Sequence, residues 1–208
     1  MPPYIYFARH GQTNPNLKKY IQSQIIDKPL NKTGRAQATK LGQRLKGEHI
    51  INFMVVSPTK RTIETANLIM DVIAPPYIGD AINPDFLEIN CGSIDGMYFE
   101  ELKQKYPALY HAWWGAMANP NDKHRFPFPG GESFRQIVNR GKAAVKSLKS
   151  ELDRGNILVV GHGSMNSVII GLLLNIRPEI FFSSTYFENC GLAKIDMDFQ
   201  GMTRLTIT

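Results

Sequence analysis

The sequence contains little cysteine and no long hydrophobic run. Only 2 of its 208 residues are cysteines, Cys91 and Cys190, which is too few for a disulfide framework. The longest apolar stretches reach about ten residues, half of what a helix needs to cross a bilayer. The first residues show no basic region followed by a separate apolar region, as a signal peptide would. We therefore expect a cytoplasmic protein with no membrane contact.

Signatures of metal sites and of nucleotide triphosphate sites are also missing. The 5 histidines show no ligand spacing, and no Cys-x-x-Cys occurs. The sequence has no Gly-x-x-x-x-Gly-Lys-Ser/Thr, which argues against a P-loop. We therefore expect neither a metal ion nor another cofactor.

Charge is biased towards the positive sign, with 24 Lys and Arg against 18 Asp and Glu. The basic residues are scattered and form no run of about five, which argues against a nucleic-acid partner. A net charge of +6 suits an enzyme of anionic substrates such as phosphate esters, because it raises their local concentration. For most of the lysines, a solvated surface is an equally good explanation.

The remaining composition is that of an ordinary globular chain, with 43% hydrophobic and 20% charged residues. Its periodicity predicts an α/β fold. The predicted strands are 4–8, 52–56, 157–160, 184–189, 192–197 and 203–208, and residues 82–89 are predicted to form a short strand or an extended segment. The predicted helices are 31–46, 99–109 with a break at Pro107, one opened by 129–133 and ending near 152, and 164–174. A further predicted helix has Ser57 as its N-cap and Pro58 as its first residue, and it ends at the prolines 75–76. No repeat or linker interrupts them, so we expect one domain over 1–208.

Three apolar segments end in residues that are cationic or can become so. Arg9 and His10 follow the first segment, Arg61 follows the second within one helical turn, and His162 follows the third. Ligands of open α/β sheets lie at the carboxyl ends of the strands. Because the three segments end alike, the sequence predicts a site for a small anion at this edge.

These residues belong to six blocks that resemble the histidine phosphatase superfamily, in the branch that also holds the cofactor-dependent phosphoglycerate mutases. The blocks run in family order and are 9–13 with Asn16, 27–38, Ser57-Pro58 with Arg61 and 65–66, 87–89 with Gly92 and Gly96, 129–133, and 161–163. The resemblance implies a three-layer α/β/α sandwich with a mostly parallel central sheet.

The resemblance also implies a role for each matching residue. His10 would be the nucleophile that forms a phosphohistidine, and Glu88 the general acid and base. The phosphoryl group would be bound by five residues, namely Arg9, Asn16, Arg61, His162 and the backbone of Gly163. No metal is needed in such a site, because arginines stabilise the phosphoryl charge.

Each residue has a plainer interpretation when it is taken alone. His10 could be a structural histidine at a strand end, and Asn16 a turn residue. Arg61 could be a surface arginine at a helix start, and Glu88 an exposed strand residue. The six blocks together favour the functional interpretation.

The sequence departs from the family pattern at two places. Residues 21–26 lack the glycine that the family often has before the Asp-x-Pro-Leu block, so backbone phosphate contacts are not expected there. Residues 88–92 lack the Arg and Tyr of the mutases, which favours a phosphatase for a small phosphorylated metabolite. The alternatives are a phosphoglycerate mutase and a non-catalytic member that binds a phosphorylated ligand.

Residues 98–128 form the least regular part of the sequence and are interpreted as an insertion beside the site. Trp113 and Trp114 lie there among prolines and asparagines. The insertion is a candidate for substrate choice, together with Lys18 and Lys19 near the mouth of the site. The alternative is a hydrophobic packing patch, or a homodimer contact, around the two tryptophans.

Overall fold

The computed structural model describes residues 3–48, 51–73, 79–111, 128–177, 187–197 and 203–207. Its strands are β1 Tyr4–Arg9, β2 Phe53–Val56, β3 Gly79–Ile82, β4 Ile157–Gly161, β5 Leu192–Met197 and β6 Thr203–Ile207. Its helices are α1 Asn14–Leu17, α2 Lys32–Glu48, α3 Lys60–Met70, α4 Phe99–Lys105, α5 Phe134–Ser150 and α6 Gly163–Leu173. Short 3-10 turns cover 84–86, 92–94 and 152–154, and residues 107–111 are also helical. None of these helices is both long and apolar enough to span a bilayer.

The strands form one sheet in the order β3-β2-β4-β1-β5-β6. The first four run parallel, while β5 is antiparallel to β1 and β6 is antiparallel to β5. Arg9 at the end of β1 is paired with Gly161 at the end of β4, and Val160 beside it is paired with Val56 of β2. The carboxyl ends of three strands are therefore level, so the residues that follow them lie at one edge of the sheet.

Helices cover both faces of the sheet. In β1, Ile5 and Phe7 point to the cluster that includes α5 and α6, whereas Tyr6 and Ala8 point to the cluster that includes α2 and α3. Parallel strands buried on both faces give continuous apolar runs instead of an alternating pattern. Each fully buried side chain of this kind contributes about 2 kcal/mol of hydrophobic free energy. The three-layer α/β/α arrangement is confirmed.

Residues 82–89, predicted to be a short strand or an extended segment, do not continue as a strand beyond Ile82. The strand of this region, β3, ends at Ile82, and residues 84–86 form a 3-10 turn. Asn83 begins this turn, because its side-chain oxygen accepts from the N–H of Asp85 at 2.9 Å. Pro84 cannot donate to a ladder and suits the first position of the turn. Glu88 therefore lies on a loop and not on a strand.

The predicted start of α3 is also wrong. Thr59, and not Ser57, is the N-cap residue, and the helix begins at Lys60. The hydroxyl of Ser57 instead contacts His162. Most other boundaries agree with the predictions within two residues, and the break predicted at Pro107 within 99–109 lies at Tyr106. The described end of the predicted strand 184–189 is a loop and turn, and Trp113 and Trp114 lie outside the described residues.

Candidate active site

His10 lies directly after β1 and is almost fully buried, with 3% of its surface exposed. Its backbone N–H donates to the carbonyl of Gly161 at 3.0 Å, which continues the pairing of β1 with β4. Its Nδ1 lies 2.8 Å from the carbonyl oxygen of Gly11. Because a carbonyl oxygen can only accept, Nδ1 carries the proton. The lone pair of Nε2 is therefore available in the neutral ring.

Gly11 follows His10 at a position with no room for a side chain. A Cβ atom on Gly11 would lie 2.5 Å from the backbone oxygen of Gly34 in α2. The N–H of Gly11 donates to the hydroxyl of Thr65 in α3 at 3.0 Å. Gly11 thus allows the loop to pack against α2 and α3, and this packing fixes the carbonyl that orients His10.

Arg61 is fully buried in the first turn of α3. Its Nη1 donates to Asp27 at 3.2 Å, and its Nη2 donates to the carbonyl of Ser23 at 2.8 Å. Nη2 also lies 3.2 Å from Nδ1 of His162. Its Nε is buried and has no acceptor in the described part of the chain. A buried cation with a remaining donor is suited to bind an oxyanion.

His162 is fully buried between β4 and α6. Arginine has no acceptor, so Nδ1 of His162 accepts from Arg61. Its Nε2 then carries the proton and donates to the hydroxyl of Ser57 at 2.8 Å. The rings of His162 and His10 lie 5.4 Å apart with an angle of 65° between their planes. The structure thus brings the two predicted histidines next to each other.

Both histidines are held in the neutral form. Burial lowers the pKa of His10 well below its ordinary value of 6.5, and the charges of Arg61 and Arg9 lower it further. The pKa of His162 is lowered by the same main causes, burial first and Arg61 second. A neutral His10 retains the lone pair that a nucleophile requires.

Arg9 supplies a second cation from the end of β1. Its Nη1 donates to the carbonyl of Phe187 at 2.7 Å. A Cβ atom on Gly163 would lie 3.6 Å from Cδ of Arg9, so the arginine side chain passes over the first residue of α6. Arg9 and Arg61 thus approach the histidines from different parts of the chain.

Glu88 reaches the same place from the loop after β3. Its Oε1 accepts from the N–H of Ile89 at 2.9 Å and from that of Met165 at 3.2 Å. Its Oε2 accepts from the N–H of Ser164 at 3.4 Å. The first turn of α6 has N–H groups without intrahelical acceptors, and the side-chain oxygens of Glu88 accept from two of them. Glu88 is therefore tied to the helix that follows His162.

Asn16 is connected to His10 through Asn189. Its Oδ1 accepts from the N–H of Thr13 at 3.2 Å and from Nδ2 of Asn189 at 3.3 Å. Asn189 also donates to the carbonyl of His10 at 3.1 Å. Asn16 is thus a helix-capping residue of α1 that is connected to the backbone of His10.

The model of the histidine phosphatase superfamily (branch 1) matches residues 5–207. This chain belongs to that superfamily. It is 32% identical to the fructose-2,6-bisphosphatase of Saccharomyces cerevisiae over 185 residues, which cover 86% of this chain and 36% of the relative. It is 30% identical over 193 residues to the Yersinia enterocolitica protein named "Probable phosphoglycerate mutase GpmB", with 92% and 84% of the two chains covered.

Solved structures agree with the fold of this histidine phosphatase superfamily member. The α-ribazole phosphatase from Shigella flexneri superposes with a TM-score of 0.81 at 23% identity, covering 98% of this chain and 95% of the other. The chain spans about a third of the length of the yeast relative. The superfamily's curated relatives include both phosphatases and mutases.

Sequence reasoning did not find several residues that hold this superfamily site together. Ser57 was interpreted as a helix cap, but it is the acceptor for His162. Ser23 supplies its carbonyl to Arg61, and its side chain donates to Ile89 at 2.7 Å and accepts from Cys91 at 2.9 Å. Asp27 lies in a matching block, which was the only signal for its contact with Arg61.

The lowered pKa values predict a stability that falls in mild acid. In the unfolded chain His10 and His162 bind protons near pH 6.5, whereas in the folded protein they stay neutral to lower pH. The unfolded state therefore binds more protons below pH 6.5. The free energy of unfolding should fall by up to about 1.4 kcal/mol per pH unit for each histidine.

Urea unfolding at pH 7.5, 6.5 and 5.5 measures this dependence. The His10→Gln variant should lose less stability between pH 6.5 and 5.5 than the original protein. The exposed His111 provides the matched control, and His111→Gln should leave the dependence unchanged. An equal loss in the His10→Gln variant would contradict the depressed pKa of His10.

Proposed function

We propose that this protein is a metal-independent phosphomonoester hydrolase that acts through a phosphohistidine on a small phosphorylated metabolite. The main support is the hydrogen bond of His10, whose Nδ1 donates to the carbonyl of Gly11 at 2.8 Å. This bond leaves Nε2 as a lone-pair donor beside two arginines. Such a ring suits nucleophilic attack, and the arginines suit the charge of a phosphoryl group.

In the first step Nε2 of His10 attacks phosphorus in line with the ester oxygen. A nitrogen–phosphorus bond forms while the ester oxygen–phosphorus bond breaks. Glu88 delivers a proton to the departing alkoxide, so the product leaves as a neutral alcohol. Arg9 and Arg61 bind the phosphoryl oxygens, whose charge they stabilise most strongly in the transition state.

In the second step water attacks the phosphorus atom of the phosphohistidine. Glu88, now a carboxylate, accepts a proton from this water. The nitrogen–phosphorus bond breaks, inorganic phosphate forms, and His10 returns to its neutral state. The reaction requires no oxidant and no second substrate besides water.

His162 donates to the phosphoryl group in this proposal. Its Nε2–H has Ser57 as acceptor at 2.8 Å, and a phosphoryl oxygen replaces that hydroxyl as acceptor when the substrate binds. Asn16 and the backbone N–H of Gly163, the first residue of α6, complete the proposed phosphate contacts.

A phosphoglycerate mutase is the second candidate. The Yersinia enterocolitica relative favours it, since 84% of that protein is covered. Against it, residues 88–92 lack the Arg and Tyr of the mutase block. Residues 98–128 and the exposed Lys18 and Lys19 remain our candidates for substrate choice, and a homodimer remains a prediction.

Phosphate release from a panel of phosphomonoesters, measured in EDTA, tests this function. We expect release from one or a few members, and 3-phosphoglycerate is included in the panel. Conversion of 3-phosphoglycerate into 2-phosphoglycerate without release of phosphate would support the mutase. If neither phosphate release nor formation of 2-phosphoglycerate were detected, both candidates would be overturned and a phospholigand-binding protein would be favoured.

The Glu88→Gln variant tests the proposed general acid. Glutamine keeps the shape of the side chain but cannot deliver the proton. We expect turnover of an alkyl phosphate to fall about 100-fold. The pre-steady-state release of 2,4-dinitrophenol from its phosphate reports the first step alone, and it should fall far less because this leaving group needs no proton. Glu101 is a matched control because it forms an ion pair with Lys105 on the surface of α4, and Glu101→Gln should slow neither substrate. Equal slowing of both substrates by Glu88→Gln would count against the role.

A further inference from the structure

The guanidinium group of Arg140 binds three backbone carbonyls of the loop that carries Glu88. Arg140 lies in α5, and its Nη1 donates to the carbonyls of Leu87 at 2.6 Å and Asp85 at 3.1 Å. Its Nη2 donates to the carbonyl of Glu88 itself at 3.3 Å. These carbonyls lie in a segment that has left the sheet and lacks ladder partners, so the arginine replaces the missing strand as their donor.

Glu132 fixes the direction of this guanidinium. Its two carboxylate oxygens accept from Nε of Arg140 at 2.9 Å and from Nη2 at 2.7 Å. Oε2 also accepts from the N–H of Asn90 at 2.9 Å. The side chains are 15% and 17% exposed for Arg140 and Glu132. A fork-shaped pair of this kind determines orientation as well as distance, which a single ion contact does not.

Arg140 and Glu132 together form a clamp that binds the loop backbone before and after the side chain of Glu88. Arg140 binds the backbone before and at Glu88, and Glu132 binds it two residues later. Gln24 adds one contact from the opposite side, since its Nε2 donates to the carbonyl of Glu88 at 2.7 Å. The backbone of Glu88 is thus fixed against α5, while its carboxylate contacts α6.

We propose that Arg140, locked by Glu132, is the positioning residue of Glu88 and sets the distance over which the proton is delivered. This inference rests on the proposed general-acid role of Glu88. Arg140 touches no reacting atom, but its charge also lowers the pKa of His162. The test must therefore separate position from charge and from folding.

Arg140→Lys and Arg140→Met are compared with the original protein on 2,4-dinitrophenyl phosphate and on an alkyl phosphate that the panel shows to be hydrolysed. Lysine keeps the charge but loses the fork. Both variants should lose about 10- to 100-fold in kcat on the alkyl phosphate, because a misplaced acid transfers its proton poorly. On the dinitrophenyl ester, the pre-steady-state release of dinitrophenol should stay within about 2-fold in both variants, since it reports the first step alone and that step needs no acid.

The control is Arg35→Met, which removes the more exposed Arg35–Glu64 ion pair between α2 and α3. Its kinetics on both substrates should be unchanged. Wild-type kinetics of Arg140→Lys on both esters would overturn the proposal, as would equal losses on both esters in folded variants. Glu88→Gln, assayed alongside, separates the two hypotheses. If Glu88→Gln slows the alkyl ester far more than the dinitrophenyl ester and the Arg140 variants do not, the positioning role of Arg140 is wrong while the acid role of Glu88 stands.

Discussion

Replacing His10 by alanine is expected to lower the turnover of every phosphomonoester by at least about 10⁴-fold. The variant loses the lone pair that attacks phosphorus, and no other described imidazole has the same position beside Arg9 and Arg61. The measurement is phosphate release, together with rapid quenching of the original protein on a 4-nitrophenyl ester carrying ³²P. The original protein should retain label that alkali preserves and acid releases, as a phosphoramidate does.

The matched control is again the exposed His111. The His111→Ala variant should keep both the activity and the label, whereas His10→Ala should show neither. Unchanged phosphate release in His10→Ala would exclude His10 as the nucleophile. Label that survives acid would also contradict a phosphohistidine, even if the activity were lost.

The second large effect is expected for Arg61→Ala. The fully buried guanidinium contacts Asp27, the carbonyl of Ser23 and His162. Its loss removes a cation from the proposed phosphoryl site and should lower kcat/KM by about 10³-fold. It also leaves buried acceptors without donors, so the free energy of unfolding should fall by about 3 kcal/mol. Steady-state kinetics and urea unfolding measure the two effects.

Arg61→Lys separates these two losses. A lysine keeps the charge but cannot reach three acceptors with one ammonium group, so we expect an activity between those of the alanine variant and the original protein. Arg35→Ala provides the comparison for stability, because the side chain of Arg35 is 51% exposed and its ion pair contributes little. If Arg61→Ala retained full activity, the proposed phosphoryl site would be wrong.

The sequence predicted the sheet edge and its neighbouring side chains because both depend on local patterns. Apolar runs mark β1, β2 and β4, and each run ends just before its polar residues. The parallel register then follows from general rules of α/β folds. The closeness of His10, Arg61 and His162 could therefore be predicted without coordinates.

Features that depend on tertiary hydrogen bonds could not be predicted in this way. Ser57 followed by Pro58 has the sequence of a helix start, yet the serine bonds to a ring more than a hundred residues away. Arg140 is one of several basic residues on α5, and its main acceptors are backbone carbonyls. Every residue has a backbone carbonyl, so residue types do not show which carbonyls accept from Arg140. The sequence therefore could not predict the loop conformation near Glu88 or the clamp formed by Arg140 and Glu132.

The contacts of Arg61 also bear on how the protein folds. Its guanidinium joins segments that lie 34, 38 and 101 residues away along the chain. Bringing such distant segments together is entropically unfavourable until the rest of the fold supplies the compensating contacts. A nascent or truncated chain would therefore possess the individual motifs without the assembled anion site. The proposed anion site should then be complete only in the last stage of folding, when Ser23, Asp27 and His162 have come together around Arg61.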